Sequence, residues 1–340
     1  MSDTRPLAVI FGCSATVLSD EERGFFADVD PLGFILFQRN CDNPEQVRAL
    51  VASLRDAVHR TDAPVLIDQE GGRVQRLKPP HWRDAPAASC FADLFDTDRV
   101  RALEAVHLNA CLIAHELTEL GISIDCAPLL DLPQPGADPI IGDRAYGNDP
   151  AKISTLAMAA CEGFLTGGVL PVIKHIPGHG RANVDSHKAL PCVEADMDTM
   201  MASDFAPFKD LSTMPWAMTA HVLYKELDED KPATMSAKVI KMIRSDIGFD
   251  GVLLSDDLSM QALDGSFKYR TAGALAAGCD VALHCNGDMA EMLQVASGCI
   301  PLSDQAVERI ERAENMRLEN RVPLDGAYSD VVQRLEAMMT

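Results

Sequence analysis

The sequence predicts an α/β protein folded as a single (β/α)8 barrel of the TIM type. Three observations carry this. Short apolar segments recur eight times along the chain, separated by amphipathic stretches of helix length. No glycine-rich dinucleotide fingerprint follows the first of them, where Gly12 stands alone, and no P-loop sequence occurs, which disfavours an open doubly wound sheet. Polar residues also gather at or just past the C-terminal ends of the apolar segments, the face on which barrel enzymes build their sites.

In chain order, the first strand is expected over Leu7–Phe11, followed by a charged helix near Asp20–Val29. Gly33–Phe37 is the second strand. Val47, Leu50, Val51, Leu54 and Val58 then recur at helical spacing across Pro44–His59. Pro64–Ile67 is the third strand, and the irregular stretch after it, 77–88, contains Pro79, Pro80, His81, Trp82 and Pro86. A loop of that length inside a compact domain is usually functional, and His81 and Trp82 are candidates to border a ligand. A helix near Val100–Leu120 leads to the fourth strand, Ser123–Leu130, and Ala151–Leu165 is helical. The fifth strand, Val169–Ile173, and a helix over Met197–Leu211 precede the sixth strand, Trp216–Ala220. Ser236–Ile247 is helical, Gly251–Leu254 is the seventh strand, Thr271–Gly278 belongs to the next helix and Asp280–Leu283 is the eighth strand. Helices near Met289–Ser297, Ser303–Leu318 and Gly326–Met339 complete one catalytic barrel domain over residues 1–340, with no linker and no low-complexity segment to divide it.

Bulk properties narrow the function. The chain has 340 residues, 47% hydrophobic and 24% charged, with a formal net charge of −21. Such a balance argues against nucleic-acid or anionic-membrane partners, which need Lys/Arg-rich faces. Ten cysteines are scattered without a CxxC pair, so a reducing compartment fits better than a disulfide framework. The N-terminal apolar run is too short for a signal peptide, and no stretch approaches the roughly 20 apolar residues of a membrane span. A cytoplasmic protein is expected, monomeric rather than oligomeric.

Arg39, Asp68, Asp131, Lys174 with His175, His221, Asp256 and Asn286 all fall at expected strand ends. One such residue is an ordinary way to end a strand; seven of eight ends suggest one polar pocket. The richest segment is Lys174–His187, with three His, two cations and Asp185 after a buried strand. Carboxylates among Lys, Arg and His suit a polyhydroxylated ligand, because sugars need fixed donors and acceptors and glycosidic bonds are cleaved by paired acidic groups. The same segment leaves a metal-dependent barrel hydrolase open as an alternative, with His175, His179 and His187 as ligands, although no HxH or HExxH spacing is present.

Several separated motifs are similar to the family 3 glycoside hydrolases, in particular the bacterial cytoplasmic β-N-acetylglucosaminidases of peptidoglycan recycling. They are Ile67-Asp-Gln-Glu-Gly-Gly-Arg-Val74, Ile141-Gly-Asp-Arg-Ala-Tyr-Gly147, Lys174-His-Ile-Pro-Gly-His-Gly180 with Asp185-Ser-His187, Met218-Thr-Ala-His221 and Ser255-Asp-Asp-Leu-Ser-Met260. The resemblance runs from about Gly33 to Asn286. It implies retaining hydrolysis through a covalent intermediate on Asp256, with His187 as acid/base and Asp185 as its partner. It also implies that Asp68, Arg76, Arg144, Lys174 and His175 bind an N-acetylglucosaminide or muropeptide substrate, with neither metal nor organic cofactor. A different sugar preference is the other alternative. Asp257, on a variable position, reads as a supporting carboxylate, and His179 as a structural residue holding the loop. The sequence departs from the family at Arg181-Ala182-Asn183-Val184, where many relatives carry Asp-Thr, and at Ile176 in place of Phe.

Overall fold

The computed structural model describes residues 5–340 except 135, 137–139, 183, 185 and 187. The described strands are β1 (Leu7–Gly12), β2 (Pro31–Leu36), β3 (Val65–Ile67), β4 (Ile124–Asp125), β5 (Leu170–Ile176), β6 (Cys192–Val193), β7 (Trp216–Thr219), β8 (Leu223–Tyr224), β9 (Val252–Asp257) and β10 (Val281–His284). Eight of them close a parallel barrel in the order β1-β10-β9-β7-β5-β4-β3-β2, as the alternation of strand and helix predicts. The remaining pair, β6 and β8, forms a two-stranded parallel sheet that the sequence reading did not anticipate, two residues being too short to show a period.

Side chains alternate across each strand, and the two faces sort into two cores. Ile10, Ile35, Leu66, Ile124, Leu170, Val172, Trp216, Val252, Leu254, Val281 and Leu283 fill the barrel. Val9, Phe11, Phe34, Leu36, Val65, Ile67, Ile173, Ala217, Leu253 and Ala282 face outward into the helical layer. Three register shifts interrupt this regularity, one between Leu7 and Ile10 at the start of β1 and two toward the C-terminal ends of β5 and β9. On β5, Lys174 pairs with Met218 but Ile176 with Thr219; on β9, Leu254 pairs with Val281 but Asp257 with Leu283. Each inserts one extra residue, and such bulges re-aim side chains at the rim of a barrel.

Local chemistry starts the helices where expected. Asp20–Val29 begins on a reciprocal capping box between Ser19 and Glu22. Pro44–Ala57 begins on Asn43 and Pro150–Thr166 on Asp149, each followed by a proline that fits the first turn. Two helical expectations need correction. Ala88–Thr97 is a helix that the proline-rich stretch before it concealed; Asp98 ends it and caps Arg99–Glu119. The single helix expected over 197–211 is two, Met197–Ala202 and Ala206–Asp210. Arg181 holds the junction, donating to Asp204 at 2.6 Å and Ser203 at 3.0 Å, and Pro207 opens the second helix. Asp304–Asn320 closes the bottom of the barrel, with Ala306 and Ala313 joining the interior core. No helix among the described residues is long and apolar enough to cross a membrane.

Candidate active site

The inward series of the barrel ends in polar residues. Asp68 lies two residues beyond Leu66, Lys174 two beyond Val172, Met218 two beyond Trp216 and Asp256 two beyond Leu254. Period-two alternation therefore carries all four onto the floor of one cavity of about 190 Å³ at the C-terminal end of the strands. Arg76, Arg144 and His179 line it from the following loops and His175 from the end of β5, with Ile141, Met260 and Phe37 as apolar wall. Larger cavities of about 590 Å³ and 660 Å³ lie elsewhere and gather none of the strand-end polar residues, so the smaller one is the candidate site.

Four of its lining side chains, Asp68, Lys174, Arg76 and Arg144, join with Glu70 behind them in a charge array. Lys174 Nζ donates to Asp68 Oδ1 at 2.9 Å and contacts Glu70 Oε1 at 2.7 Å. Arg76 donates to Asp68 Oδ2 at 3.0 Å, and Arg144 grips Glu70 with two bonds of 2.7 and 2.9 Å. Gln69 points the other way and pins the loop: its Oε1 accepts from the main-chain N–H groups of Arg76 and Leu77 at 2.8 and 3.0 Å. Glu70 is the residue that sequence reasoning missed. It stands inside the Ile67–Val74 motif, but what it pairs with comes from strand β5 and from a distant loop.

A second centre forms around Asp131, which is fully buried. Its carboxylate bonds the His175 ring at 2.7 Å and accepts the N–H of His175 at 3.2 Å and of His179 at 2.6 Å. The β5 bulge puts Lys174 and His175 on one pocket despite their adjacency. Gly180 lies so close to Leu132 that a Cβ there would overlap the Leu132 main chain, which explains the glycine. His179 Nε2 meets Ser186 Oγ at 3.2 Å, and the Ser186 carbonyl accepts from Ala262 N–H at 3.2 Å. Asp185 and His187 themselves lie outside the described residues.

Asp256 Oδ1 accepts the N–H of Asp257 at 2.8 Å. Asp257 turns to structural partners, accepting from Ser259 N–H and Oγ–H and from Cys285 N–H. Four expected pocket residues do not line it, Asp131 among them, buried behind His175. Arg39 is spent on the carbonyls of Cys13 and Cys285, Asn286 bonds Glu291, and His221 is buried beneath the floor. Trp82 packs against the helical core with His81 beside it, both lining a separate groove with Tyr328. Among the described residues no three His, Cys, Asp or Glu side chains converge as a metal site would require.

The description "Glycosyl hydrolase family 3 N terminal domain" matches residues 15–314. The chain belongs to glycosyl hydrolase family 3. The β-hexosaminidase of Alkalilimnicola ehrlichii is 37% identical over 312 residues, covering 89% of this chain and 88% of that protein. The β-hexosaminidase of Neisseria meningitidis serogroup C is 38% identical over 284 residues, covering 82% and 78%. Among solved structures, NagZ from Neisseria gonorrhoeae in complex with N-trifluoroacetyl-D-glucosamine superposes with a TM-score of 0.87 at 31% identity, covering 99% of each chain. The family 3 resemblance read from the motifs and the barrel read from the strand pattern both stand.

The electrostatics of this family 3 site follow from burial and pairing. Burial opposes ionisation of Asp68 and Glu70, but Lys174 with Arg76, and Lys174 with Arg144, outweigh it; Asp68 falls well below the carboxylate range and Glu70 to about 2. Burial would likewise deprotonate Lys174, and Asp68 and Glu70 reverse that. His179 is pushed down to about 4 by burial, with Asp131 opposing, so its ring is neutral.

Asp125, behind the array, behaves oppositely. It is fully buried, accepts Gln69 N–H at 2.9 Å on Oδ1, and has no hydrogen-bond partner on Oδ2. Burial raises it from 3.8 to about 8, so it is a neutral acid at pH 7. The signs differ accordingly. The stabilisation from ionised Glu70 is complete above 4.5 and is lost as pH falls toward about 2. The folded state holds the Asp125 proton that the unfolded state releases, so this residue makes stability fall as pH rises from 3.8 to about 8. Asp125→Asn mimics the neutral acid. It is expected to raise the melting temperature at pH 8 by about 2 °C or more while changing it little at pH 4; thermal unfolding across that range checks this, and a lower melting temperature at pH 8 would contradict it.

Proposed function

We propose that the chain is a retaining β-N-acetylglucosaminidase that removes the non-reducing terminal β-linked N-acetylglucosamine from cytoplasmic muropeptides (GlcNAc-anhydroMurNAc-peptides), in peptidoglycan recycling. The observation that carries this is the placement of Asp256 in the same small cavity as Asp68, Lys174 and Arg144, which Glu70 ties together from behind. An ionised carboxylate on a rigid strand end, facing a preorganised set of donors and acceptors, suits attack on the anomeric carbon of a sugar held by its hydroxyls.

In this reading Asp68, Arg76, Arg144, Lys174 and His175 bind the sugar. Asp68 and Lys174 present oriented acceptor and donor atoms whose charges are already mutually compensated, so little reorganisation accompanies binding. Glu70 fixes Lys174 and Arg144 from behind. Asp256 is the nucleophile, forming a glycosyl ester as the glycosidic oxygen departs. His187 protonates that oxygen and later deprotonates the water that releases the sugar, with Asp185 orienting the ring and favouring its protonated form. Ser186, between them, is tied to His179 and to Ala262, which supports that segment beside the cavity. The chain acts as a cytoplasmic monomer and needs no metal or organic cofactor.

An aryl N-acetyl-β-glucosaminide assay tests the assignment. Turnover is expected at a kcat/KM at least about 10²-fold above that for the matching aryl β-glucoside, because polar groups satisfied by the acetamide are left unpaired without it. Equal rates on the two, or turnover abolished by chelator, would overturn it.

A further inference from the structure

The β7–β9 ladder pairs its last residues at Met218 and Leu254, just before the β9 bulge. The main chain of Asp256 and Asp257 therefore has no ladder to β7 and keeps only the β10 pairing of Asp257 with Leu283, where the proposed nucleophile needs most precision. Three buried side chains take over there. Thr219 Oγ1 accepts Asp256 N–H across a long 3.4 Å, and lies 2.8 Å from Thr234 Oγ1. Thr234 Oγ1 lies 2.7 Å from His221 Nδ1, and His221 Nε2 lies 3.0 Å from the carbonyl oxygen of Asp257. All three residues are fully buried.

The direction of each bond follows from one end. A carbonyl can only accept, so His221 Nε2 carries the hydrogen. The ring is neutral, burial lowering its pKa against the opposing pull of Asp256 and Asp257, so Nδ1 accepts; the Thr234 hydroxyl has two acceptors in reach, Nδ1 at 2.7 Å and the Ala220 carbonyl at 3.1 Å, and donates to the nearer. Thr234 then accepts from Thr219, whose oxygen accepts Asp256 N–H. The chain of donors starts at the amide of Asp256 and returns to the carbonyl of Asp257, gripping that dipeptide from both sides.

We propose that Thr219, Thr234 and His221 form a positioning clamp that fixes the bulged main chain of Asp256 and Asp257 and thereby aims the Asp256 carboxylate. None of the three touches substrate; they act through Asp256. The inference rests on the reading that Asp256 reacts. It also accounts for the Met218-Thr-Ala-His221 motif: Met218 faces the cavity while Thr219 and His221 serve the strand beside it.

Thr234→Val removes the central hydroxyl at constant shape, and Thr234→Ser restores it. On an activated aryl N-acetyl-β-glucosaminide, Thr234→Val is expected to lower kcat by on the order of 10²-fold, the effect of misplacing a reacting group by about 1 Å. KM and the inhibition constant for N-acetylglucosamine should stay within about threefold, and Thr234→Ser should recover most of kcat. Thr219→Val should act in the same direction, and the double variant should lose no more than the worse single one. Should Thr234→Val fail to accumulate folded, Thr219→Val decides alone. A kcat within about threefold of the parent, or a lowered melting temperature with kcat intact, means ordinary packing and overturns the clamp. Asp256→Ala is assayed alongside. Inactive Asp256→Ala with fully active clamp variants sinks the clamp alone; active Asp256→Ala sinks the functional reading beneath it.

Discussion

Asp256→Ala is expected to lower kcat on an aryl N-acetyl-β-glucosaminide by about 10⁴-fold or more, the scale on which loss of a covalent nucleophile acts. The fold should survive. Asp256 stands at the cavity edge of β9, and the sheet there rests on Leu253, Leu254 and the Ser255 hydroxyl that accepts Leu283 N–H at 2.9 Å. The Asp68–Lys174–Glu70–Arg144 array is untouched, so N-acetylglucosamine should still bind with an affinity near that of the parent. A variant that neither turns over nor binds would point to a collapsed site. One that keeps full turnover would remove Asp256 from the chemistry.

His187→Ala should separate substrates by leaving group. General acid catalysis contributes about 10²- to 10⁴-fold where the departing oxygen is basic, and little where it is not. Kinetics on a natural disaccharide should fall within that range, while an activated aryl glycoside loses about tenfold or less in the step that forms the intermediate. Asp185→Ala should shift in the same direction by less, since it acts through the His187 ring. Equal losses on the basic and the activated leaving group would exclude His187 as the acid.

How far the sequence reached can be judged on particular residues. Asp68, Lys174 and Asp256 were legible because a parallel barrel sends all strands the same way; period-two alternation then fixes which terminal residues face inward. Arg39, His221 and Asn286 show the limit. His221 and Asn286 fall an odd number of residues from the inward Met218 and Cys285 and so turn to the other face, whereas the 3-10 turn Gln38–Asn40 diverts Arg39 to the carbonyls of Cys13 and Cys285. Glu70 was hidden for another reason. Its partners, Lys174 and Arg144, lie more than 70 residues away, so its role exists only once two loops and strand β5 meet. The bulges at His175 and Asp256 were equally invisible, since an extra residue leaves no mark in composition. The helix at Ala88–Thr97 was lost to the prolines before it, and the break at Ser203–Asp204 to an arginine from another loop.

The central claim is that a sugar is carried covalently on Asp256. A fluorinated N-acetyl-β-glucosaminyl donor with a good leaving group slows release of the intermediate more than its formation, so brief exposure followed by acid quench and peptide mass spectrometry captures the state directly. One sugar per chain, on the peptide bearing Asp256 and absent from Asp256→Ala, is the expected result. An unlabelled protein releasing product first in the inverted configuration, or a label on another carboxylate, would contradict the account.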